Sequence, residues 1–517
     1  MANLKELIQK SDNLPQELAV ISGLEVYSRS ITTKDGVLFF LAKQKGERFL
    51  GMLGSSLPED FDLSTRQVEF HGQQLFLGIG QANHQNAEAL RRALPFTAPV
   101  RVGLRKSAGL GDRLGIATPG HIRALRHAPG IFGVLAQQSI REMERTHRSP
   151  EQVIDSATWG VFQEGWREGF GADADHLKTK EDIDRCVTAG FIMYTLDPRE
   201  HVDNQAETDS LDTLRQKFYS LPWGRLHSTA EETMRTYAGK DWTLSPDCTL
   251  HMTEETLLRA ACKYGQALAH LAELYQHLKT RLAGRPFELE ISVDETDTPT
   301  KPEEHFFIAS ELGRLGVEWV SLAPRYIGRF EKGVDYIGDL TLFEKTFKRH
   351  VAVAKALGPY KLSLHSGSDK FSIYPLIARL AGELVHLKTA GTSYLEALHA
   401  IAQVDPALFR EILTFAIANY EKDKVSYHVS AQLNRVPNPS DLNDQDLVQV
   451  LYQFDARQVL HVTFGTVLTA QDGSGHYLFR DRLFKVLEAN EETHYNALET
   501  HLSKHLEPFS SAKSTEE

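Results

Sequence analysis

Three histidines in this sequence lie near the ends of short apolar segments that we predict to be β-strands. They are His176, His365 and His386, and the carboxylates of Asp175 and Glu290 occupy similar positions. Imidazole and carboxylate together suit a divalent transition metal, and an open coordination position would bind substrate oxygens. One such histidine would usually make a hydrogen bond across a strand end, but three in matching positions favour a metal site. Asp175 and Glu290 then either form an acid/base pair or orient the metal ligands.

Two of the predicted strands carry polar side chains on one face and apolar side chains on the other. The polar residues are Lys361, Ser363 and His365 in one strand and Glu290, Ser292 and Asp294 in the other. Because burying an unpaired charge is costly, a polar face on an otherwise buried strand indicates a working surface. Asp294 and Glu295 are the alternatives if the base is not Asp175.

Several further polar residues are candidates for binding a substrate. They are Arg105, Gln138, Lys361, Ser366 and Lys388. Gln137, Gln138 and Ser139 close a predicted strand, where they could hydrogen-bond sugar hydroxyls. Arg105 and Lys106 lie at the end of the first predicted strand and Arg113 follows it. Each either holds a substrate carboxylate or pairs with an acidic side chain of the chain itself.

The elements that must position these residues alternate between helix and strand. Between residues 300 and 392, three helices each end at a glycine and are followed by a strand, which predicts parallel strands with right-handed crossovers. The predicted strands are 101–107, 133–139, 170–178, 190–197, 287–295, 317–324, 360–367 and 383–391. Eight such units in about 290 residues favour a closed (β/α)8 TIM-type barrel over an open doubly wound sheet. Strand carboxyl ends form the active-site face of such a barrel.

The remaining segments add to this α/β barrel on both sides. Residues 1–98 are predicted to form an N-terminal α+β extension, and residues 99–392 the catalytic barrel. A mainly helical insertion, 198–285, contains a strong amphipathic helix around 257–275 and would lie over the barrel mouth as a lid. Residues 393–517 are predicted to form a mainly helical C-terminal region, with extended pieces at 426–430 and 459–464.

Composition excludes several classes of protein. The 517 residues contain 57 Lys+Arg against 69 Asp+Glu, a net charge of −12 that argues against nucleic-acid binding. Three features predict a cytoplasmic protein without a membrane segment. The three cysteines lack metal spacing, the amphipathic start at residues 1–11 lacks a secretion signal, and the sequence contains no long apolar run. A homo-oligomer is compatible with this sequence. The absence of a GxGxxG, Walker or GxSxG motif argues against nicotinamide and phosphoryl-transfer chemistry.

Long stretches of the chain resemble the tagaturonate/fructuronate epimerase family of bacterial hexuronate metabolism. The resemblance covers roughly residues 20–505. It is carried by GLGDRLGIATPGHIRAL (109–125), AQQSIREMERT (136–146), ATWGVFQEGWREGFGADADHLK (157–178), SVDETDTPT (292–300), LHSGSDKFSIYP (364–375) and HLKTAGTSYLEAL (386–398).

The resemblance implies a metal-dependent epimerase that interconverts D-tagaturonate and D-fructuronate. It implies that Asp175 accepts a proton, that Glu290 donates one, and that His176, His365 and His386 hold one divalent transition metal. Imidazole and carboxylate ligands would accept Mn, Fe, Co, Ni or Zn. The substrate would be a small hexuronate.

The two sugar acids differ at a hydroxyl-bearing carbon that lies β to the ketone, so enolisation cannot invert it. Retro-aldol cleavage can: a base removes the hydroxyl proton, the adjacent C–C bond breaks, the aldehyde fragment rotates, and the bond forms again. Transient oxidation by a nicotinamide is the other route, and the sequence lacks its fingerprint. Two alternatives stay open at this stage: a metal-dependent ketose isomerase or aldolase, and a sugar-acid-binding protein without turnover.

Overall fold

The computed structural model, which describes residue 11 and residues 13–510, begins with an antiparallel sheet between helices. The elements are α1 (Leu14–Ser22), β1 (Glu25–Val26), β2 (Thr32–Lys34), β3 (Val37–Gln44), β4 (Glu47–Gly54), β5 (Ser64–Phe70), β6 (Gln73–Gln81) and α2 (His84–Ala93). The strand order is β1-β3-β4-β6-β5, and β2 also pairs with β3. The predicted amphipathic start lies outside the described residues, apart from Ser11.

Alternate residues of β3 face opposite sides of this sheet, as the strand geometry requires. Phe40 packs with Leu18 of α1 on one side. On the other side, Phe39 packs in a cluster with Trp159 and Phe162, which belong to the following part of the chain. The N-terminal unit is therefore fastened to the barrel through its second apolar face.

The first half of the barrel alternates strands with helices. Its elements are β7 (Ser107–Gly109), α3 (Thr118–Arg126), β8 (Phe132–Ser139), α4 (Ile140–Thr146), α5 (Pro150–Glu164), β9 (Gly171–Leu177), α6 (Lys180–Ala189) and β10 (Met193–Leu196). The predicted first strand, 101–107, is wrong except at its last residue. The backbone N–H groups of Val102 and Gly103 instead donate to the carboxylate of Glu288, at 2.7 and 2.5 Å, and the segment turns there.

The insertion after β10 consists of α7 (Leu211–Tyr219), α8 (Ala230–Tyr237), β11 (Lys240–Ser245), β12 (Cys248–Met252) and α9 (Glu254–Leu282). The second half of the barrel follows as β13 (Glu288–Val293), α10 (Pro302–Arg314), β14 (Ser321–Pro324), α11 (Leu340–Ala356), β15 (Lys361–Leu364), α12 (Tyr374–Ala381) and β16 (Val385–Lys388). Eight parallel strands close in the order β10-β13-β14-β15-β16-β7-β8-β9. The predicted (β/α)8 barrel is confirmed.

Helix α9 is the crossover helix between β10 and β13. It packs against α6 and α10 in the outer ring of the barrel, with Leu257, Leu268 and Tyr275 buried as their spacing predicts. The prediction that the insertion as a whole covers the mouth is therefore wrong for its largest helix. From the insertion, Arg199 and Asn204 line a cavity at the mouth.

The C-terminal region is a group of helices with its own apolar core. They are α13 (Thr392–Val404), α14 (Pro406–Asp423), α15 (Asp444–Val450), α16 (Phe454–Val462), α17 (Phe464–Thr469), α18 (Arg480–Ala489) and α19 (Glu491–Leu506). The predicted extended piece at 459–464 is wrong, because Val459, Leu460 and Val462 are buried on α16. Helix α19 packs along α3 and α13. Within the described part of the chain, no helix has both the length and the apolar character needed to cross a membrane.

Candidate active site

A buried lysine occupies the centre of the barrel mouth. Lys388 ends β16, and its Nζ lies 2.8 Å from Asp173 Oδ2, 2.7 Å from Asp175 Oδ1 and 2.7 Å from Glu290 Oε1. Burial by itself would lower the pKa of Lys388, but these three carboxylates raise it well above its usual value. Burial and the neighbouring carboxylates raise the pKa of Asp173 to about 6, in spite of the ammonium. Lys388 is therefore a charged group that holds the carboxylates together, not a neutral amine.

Two histidine rings lie directly above this cluster, with centroids 4.9 Å apart. His176 Nδ1 lies 2.8 Å from Asp175 Oδ1, and His365 Nε2 lies 2.7 Å from Glu290 Oε1. The other nitrogen of each ring faces Asp294 Oδ1, at 3.7 Å from His176 Nε2 and 3.1 Å from His365 Nδ1. Each imidazole thus has one nitrogen on a carboxylate and one directed to a common point.

This arrangement fits a divalent metal. Histidine ligands usually give their second N–H to a carboxylate, as His176 and His365 do here. Atoms of Asp175, His176 and His365 that can bind a metal lie within 4.8 Å of one another. His365 Nδ1 faces the same Asp294 oxygen as His176 Nε2, so these two nitrogens and that oxygen are potential ligands of one ion. His176 has a positive φ of 55°, a strained conformation that is common at functional sites.

The third predicted histidine is not part of this group. His386 precedes Lys388 by two residues on β16, so it lies roughly 6.6 Å deeper in the barrel. Its Nδ1 lies 2.9 Å from Ser107 Oγ, and burial lowers its pKa to about 3. The hypothesis of three histidine ligands does not fit this geometry, because strand position and not residue type decides which side chains reach the mouth.

Of the two glutamines at the end of β8, the structure brings Gln137 to the site. Its Nε2 donates to Asp175 Oδ2 at 3.0 Å. Gln138 points to the other side of the strand, where its buried amide lines a small hollow between β8 and the helices. Of the three predicted residues at this strand end, Gln138 does not fit a role in substrate binding, because successive strand residues alternate between barrel interior and exterior.

Arg105 and Lys361 also lie away from the mouth. Arg105 precedes β7, with its guanidinium 3.7 Å from the centre of the Phe132 ring and its Nε donating to Val102 O at 2.8 Å. Lys361 begins β15, and its Nζ donates to Ser107 Oγ at 3.0 Å. Both are near the amino ends of the strands, which is the opposite end from the active-site face of such a barrel. Their predicted contact with substrate does not fit these positions.

A cavity of about 370 Å³ opens over the histidines and leads to a smaller hollow of about 40 Å³ beside them. Ser366 lines both, and Lys388 lines the inner one, as predicted for substrate-binding residues. Lys332, Arg325 and Arg141 also line the cavity, and none of the three was predicted as a substrate-binding residue. The basic residues of RYIGRFEK (325–332), directly after the sixth strand, could have indicated Arg325 and Lys332.

A second group of potential ligands, Asp369, His501 and His505, lies between the loop after β15 and the C-terminal helices. Arg457 from α16 already balances the charge, with its guanidinium 3.1 and 3.2 Å from the two Asp369 oxygens. His501 Nε2 lies 2.7 Å from Asp369 Oδ1, and Asp369 N donates to His505 Nε2. This group fastens the loop that follows His365 to α16 and α19.

The family model described as tagaturonate epimerase (UxaE) matches residues 27–509. The chain belongs to the tagaturonate epimerase family. A tagaturonate/fructuronate epimerase from Thermotoga maritima is 44% identical over 485 residues, which cover 94% of this chain and 97% of the relative.

Solved structures of the family have the same fold. A crystal structure of the fructuronate-tagaturonate epimerase UxaE from Cohnella laeviribosi, complexed with one glycerol, superposes with a TM-score of 0.88. It is 40% identical, and the match covers 96% of this chain and 98% of that one. The native form of the same enzyme also gives a TM-score of 0.88, at 39% identity. This membership makes the protein an isomerase of the epimerase type and disfavours the aldolase and binding-protein alternatives.

Proposed function

We propose that this protein interconverts D-tagaturonate and D-fructuronate by retro-aldol cleavage and re-addition, with a divalent metal bound at the histidine pair. The observation that carries the proposal is the convergence of Asp175 and Glu290 on Lys388, directly below His176 and His365. Two carboxylates connected through one ammonium give the acid and base that the reaction requires.

Asp175 is the base for the hydroxyl on the carbon β to the ketone. Burial opposes its ionisation, but its contacts with His176 and with the Lys388 ammonium hold its pKa well below the usual value, so it is ionised. It takes the hydroxyl proton as the adjacent C–C bond breaks. The electron pair of that bond stays on the fragment that carries the ketone, which becomes an enediolate, and the other fragment becomes an aldehyde.

Glu290 returns the proton to the same hydroxyl oxygen after the aldehyde has rotated. It is fully buried and fixed by Ser321 Oγ at 2.5 Å, His365 Nε2 at 2.7 Å and Lys388 Nζ. Because Lys388 contacts both carboxylates, its ammonium can pass a proton between Asp175 and Glu290. Re-addition uses the enediolate electron pair to form the C–C bond again, and the proton returns to the hydroxyl of the epimer. The cavity of about 370 Å³ leaves room for the rotation.

His176, His365 and Asp294 would hold the metal, which when bound would polarise the ketone and its neighbouring hydroxyl as a Lewis acid. The protein's own contribution is to fix the imidazoles through Asp175 and Glu290, so that their free nitrogens keep their direction. Because both carboxylates also contact Lys388, the metal ligands and the acid/base pair are positioned by the same hydrogen bonds.

We expect His176→Ala and His365→Ala each to lose bound metal and epimerase activity together, because each removes one of the two converging imidazoles. His386→Ala is the matched control, and it should keep its metal because His386 lies one side-chain layer deeper. Metal content by mass spectrometry and folding by circular dichroism would be measured on all three purified variants. Metal loss in His386→Ala with full metal in His365→Ala would contradict the site.

The direct test of the proposed function is to incubate the purified, metal-loaded protein with D-tagaturonate and follow products by NMR. D-Fructuronate should appear and reach equilibrium, and chelation should stop the reaction. A shifted carbonyl, or three-carbon products without the epimer, would select the isomerase or aldolase alternative instead.

A further inference from the structure

Five cationic side chains line the cavity over the histidines, and three of them are neutralised by carboxylates of the chain. Arg141 and Arg199 both contact Glu295, with Arg141 Nη2 at 2.9 Å from Glu295 Oε1. Arg329 Nη1 lies 3.4 Å from Glu331 Oε1. These three arginines have partners already, so a bound anion would have to compete with Glu295 or Glu331 for them.

The other two cations, Arg325 and Lys332, lie on the loop that follows β14. Among the described residues, neither side chain has a hydrogen-bond or ion-pair partner. Lys332 lines both the outer cavity and the inner hollow, which it shares with Asp175, His176 and His365. Arg325 lines the outer cavity. Lys332 is therefore the unpaired cation placed nearest to the groups that would carry the reaction.

An unpaired ammonium in this position is energetically unfavourable. Lys332 is half-buried, and burial together with the nearby charge of Arg141 lowers its pKa to about 8. Arg113, which also lines the inner hollow, does not need an anion because its Nε lies 2.9 Å from Glu142 Oε1. A carboxylate bound beside Lys332 would supply the missing partner and keep the ammonium charged.

We propose that Lys332 binds the carboxylate of the hexuronate substrate. The inference rests on the proposed function, since it is the uronate form of the sugar that supplies a carboxylate. That carboxylate is two carbons from the carbon whose configuration changes, so its partner must line the same hollow as Asp175, which Lys332 does. In the retro-aldol sequence the aldehyde fragment carries this carboxylate, and Lys332 would retain that fragment while it rotates.

The test compares two variants of Lys332 with a control variant of a lysine outside the cavity. Lys332→Met keeps the length of the side chain and removes its charge, and we expect KM for D-tagaturonate to rise about 10- to 100-fold. Lys332→Arg should recover most of that loss. Lys355→Met is the matched control, because Lys355 is an exposed lysine on α11 that does not line the cavity; its KM should stay within about twofold of the wild type.

A neutral analogue separates loss of charge recognition from general damage to the cavity. D-Fructose has a hydroxymethyl group in place of the carboxylate, so its inhibition constant should change less than threefold in Lys332→Met. An unchanged KM in Lys332→Met overturns the proposal, as does an equal loss of fructose inhibition. A large KM increase in Arg325→Met but not in Lys332→Met overturns it too, by assigning the carboxylate to Arg325. An inactive wild type, in contrast, means that the proposed function has failed.

Discussion

Asp175→Asn is expected to lose epimerase turnover by about 10²- to 10⁴-fold while it still binds metal, the loss typical of removing a positioned base. The amide keeps the shape of the side chain, and it can still contact His176 and Lys388, but it cannot accept the hydroxyl proton. The measurements are kcat for D-tagaturonate and the metal content of the same preparation.

Asp297→Asn is the matched control for this substitution. Asp297 is an exposed carboxylate that lines the same cavity but does not contact the lysine or the histidines. Its turnover should stay close to that of the wild type. Wild-type turnover in Asp175→Asn would move the base to another carboxylate, and Asp294 would then be the first to substitute.

Lys388→Met is expected to have the largest effect on stability. The substitution removes the one ammonium that contacts Asp173, Asp175 and Glu290, and leaves these carboxylates buried without their cation. Removing one partner of a buried ion pair typically costs about 3–5 kcal/mol of the free energy of unfolding. Urea unfolding followed by circular dichroism would measure this cost, and a loss below about 1 kcal/mol would contradict the central role of Lys388.

The stability deficit of Lys388→Met should also depend on pH. Without the ammonium, the pKa of Asp173, which is already about 6 in the wild type, rises further above its unfolded value. Such groups bind protons more strongly in the folded state, so stability falls as pH rises through their pKa. The deficit relative to the wild type should be smaller at pH 5.5 than at pH 7.5. Adding Asp173→Asn to Lys388→Met should recover part of the stability without restoring activity.

The barrel could be predicted because each unit has a local signal. A helix, a glycine and a short apolar strand recur, and Gly316 has the left-handed conformation that ends such a helix. The first strand was misplaced because 101–107 has the composition of a strand, whereas a long-range contact with Glu288 turns the chain at Val102. Such a contact has no signal in the local sequence.

The candidate site could be predicted in its residue types but not in its depth. Alternation along a strand identifies the polar face, and it placed Lys388 and Glu290 inside the barrel. Alternation does not show how close to the mouth the histidine of each strand lies. For this reason it could not show that His386 lies deeper in the barrel than His365. Lys332 was missed because it lies on a loop, where no periodicity indicates which way a side chain points.

The most direct test of the account is epimerisation of D-tagaturonate in D₂O, followed by NMR. If Asp175 removes a hydroxyl proton and the C–C bond breaks, the C–H bond of the inverted carbon stays intact throughout. The account therefore predicts D-fructuronate without solvent deuterium at that carbon. One deuterium at the inverted carbon for each epimer formed would contradict it, because the base would then have removed a proton from carbon.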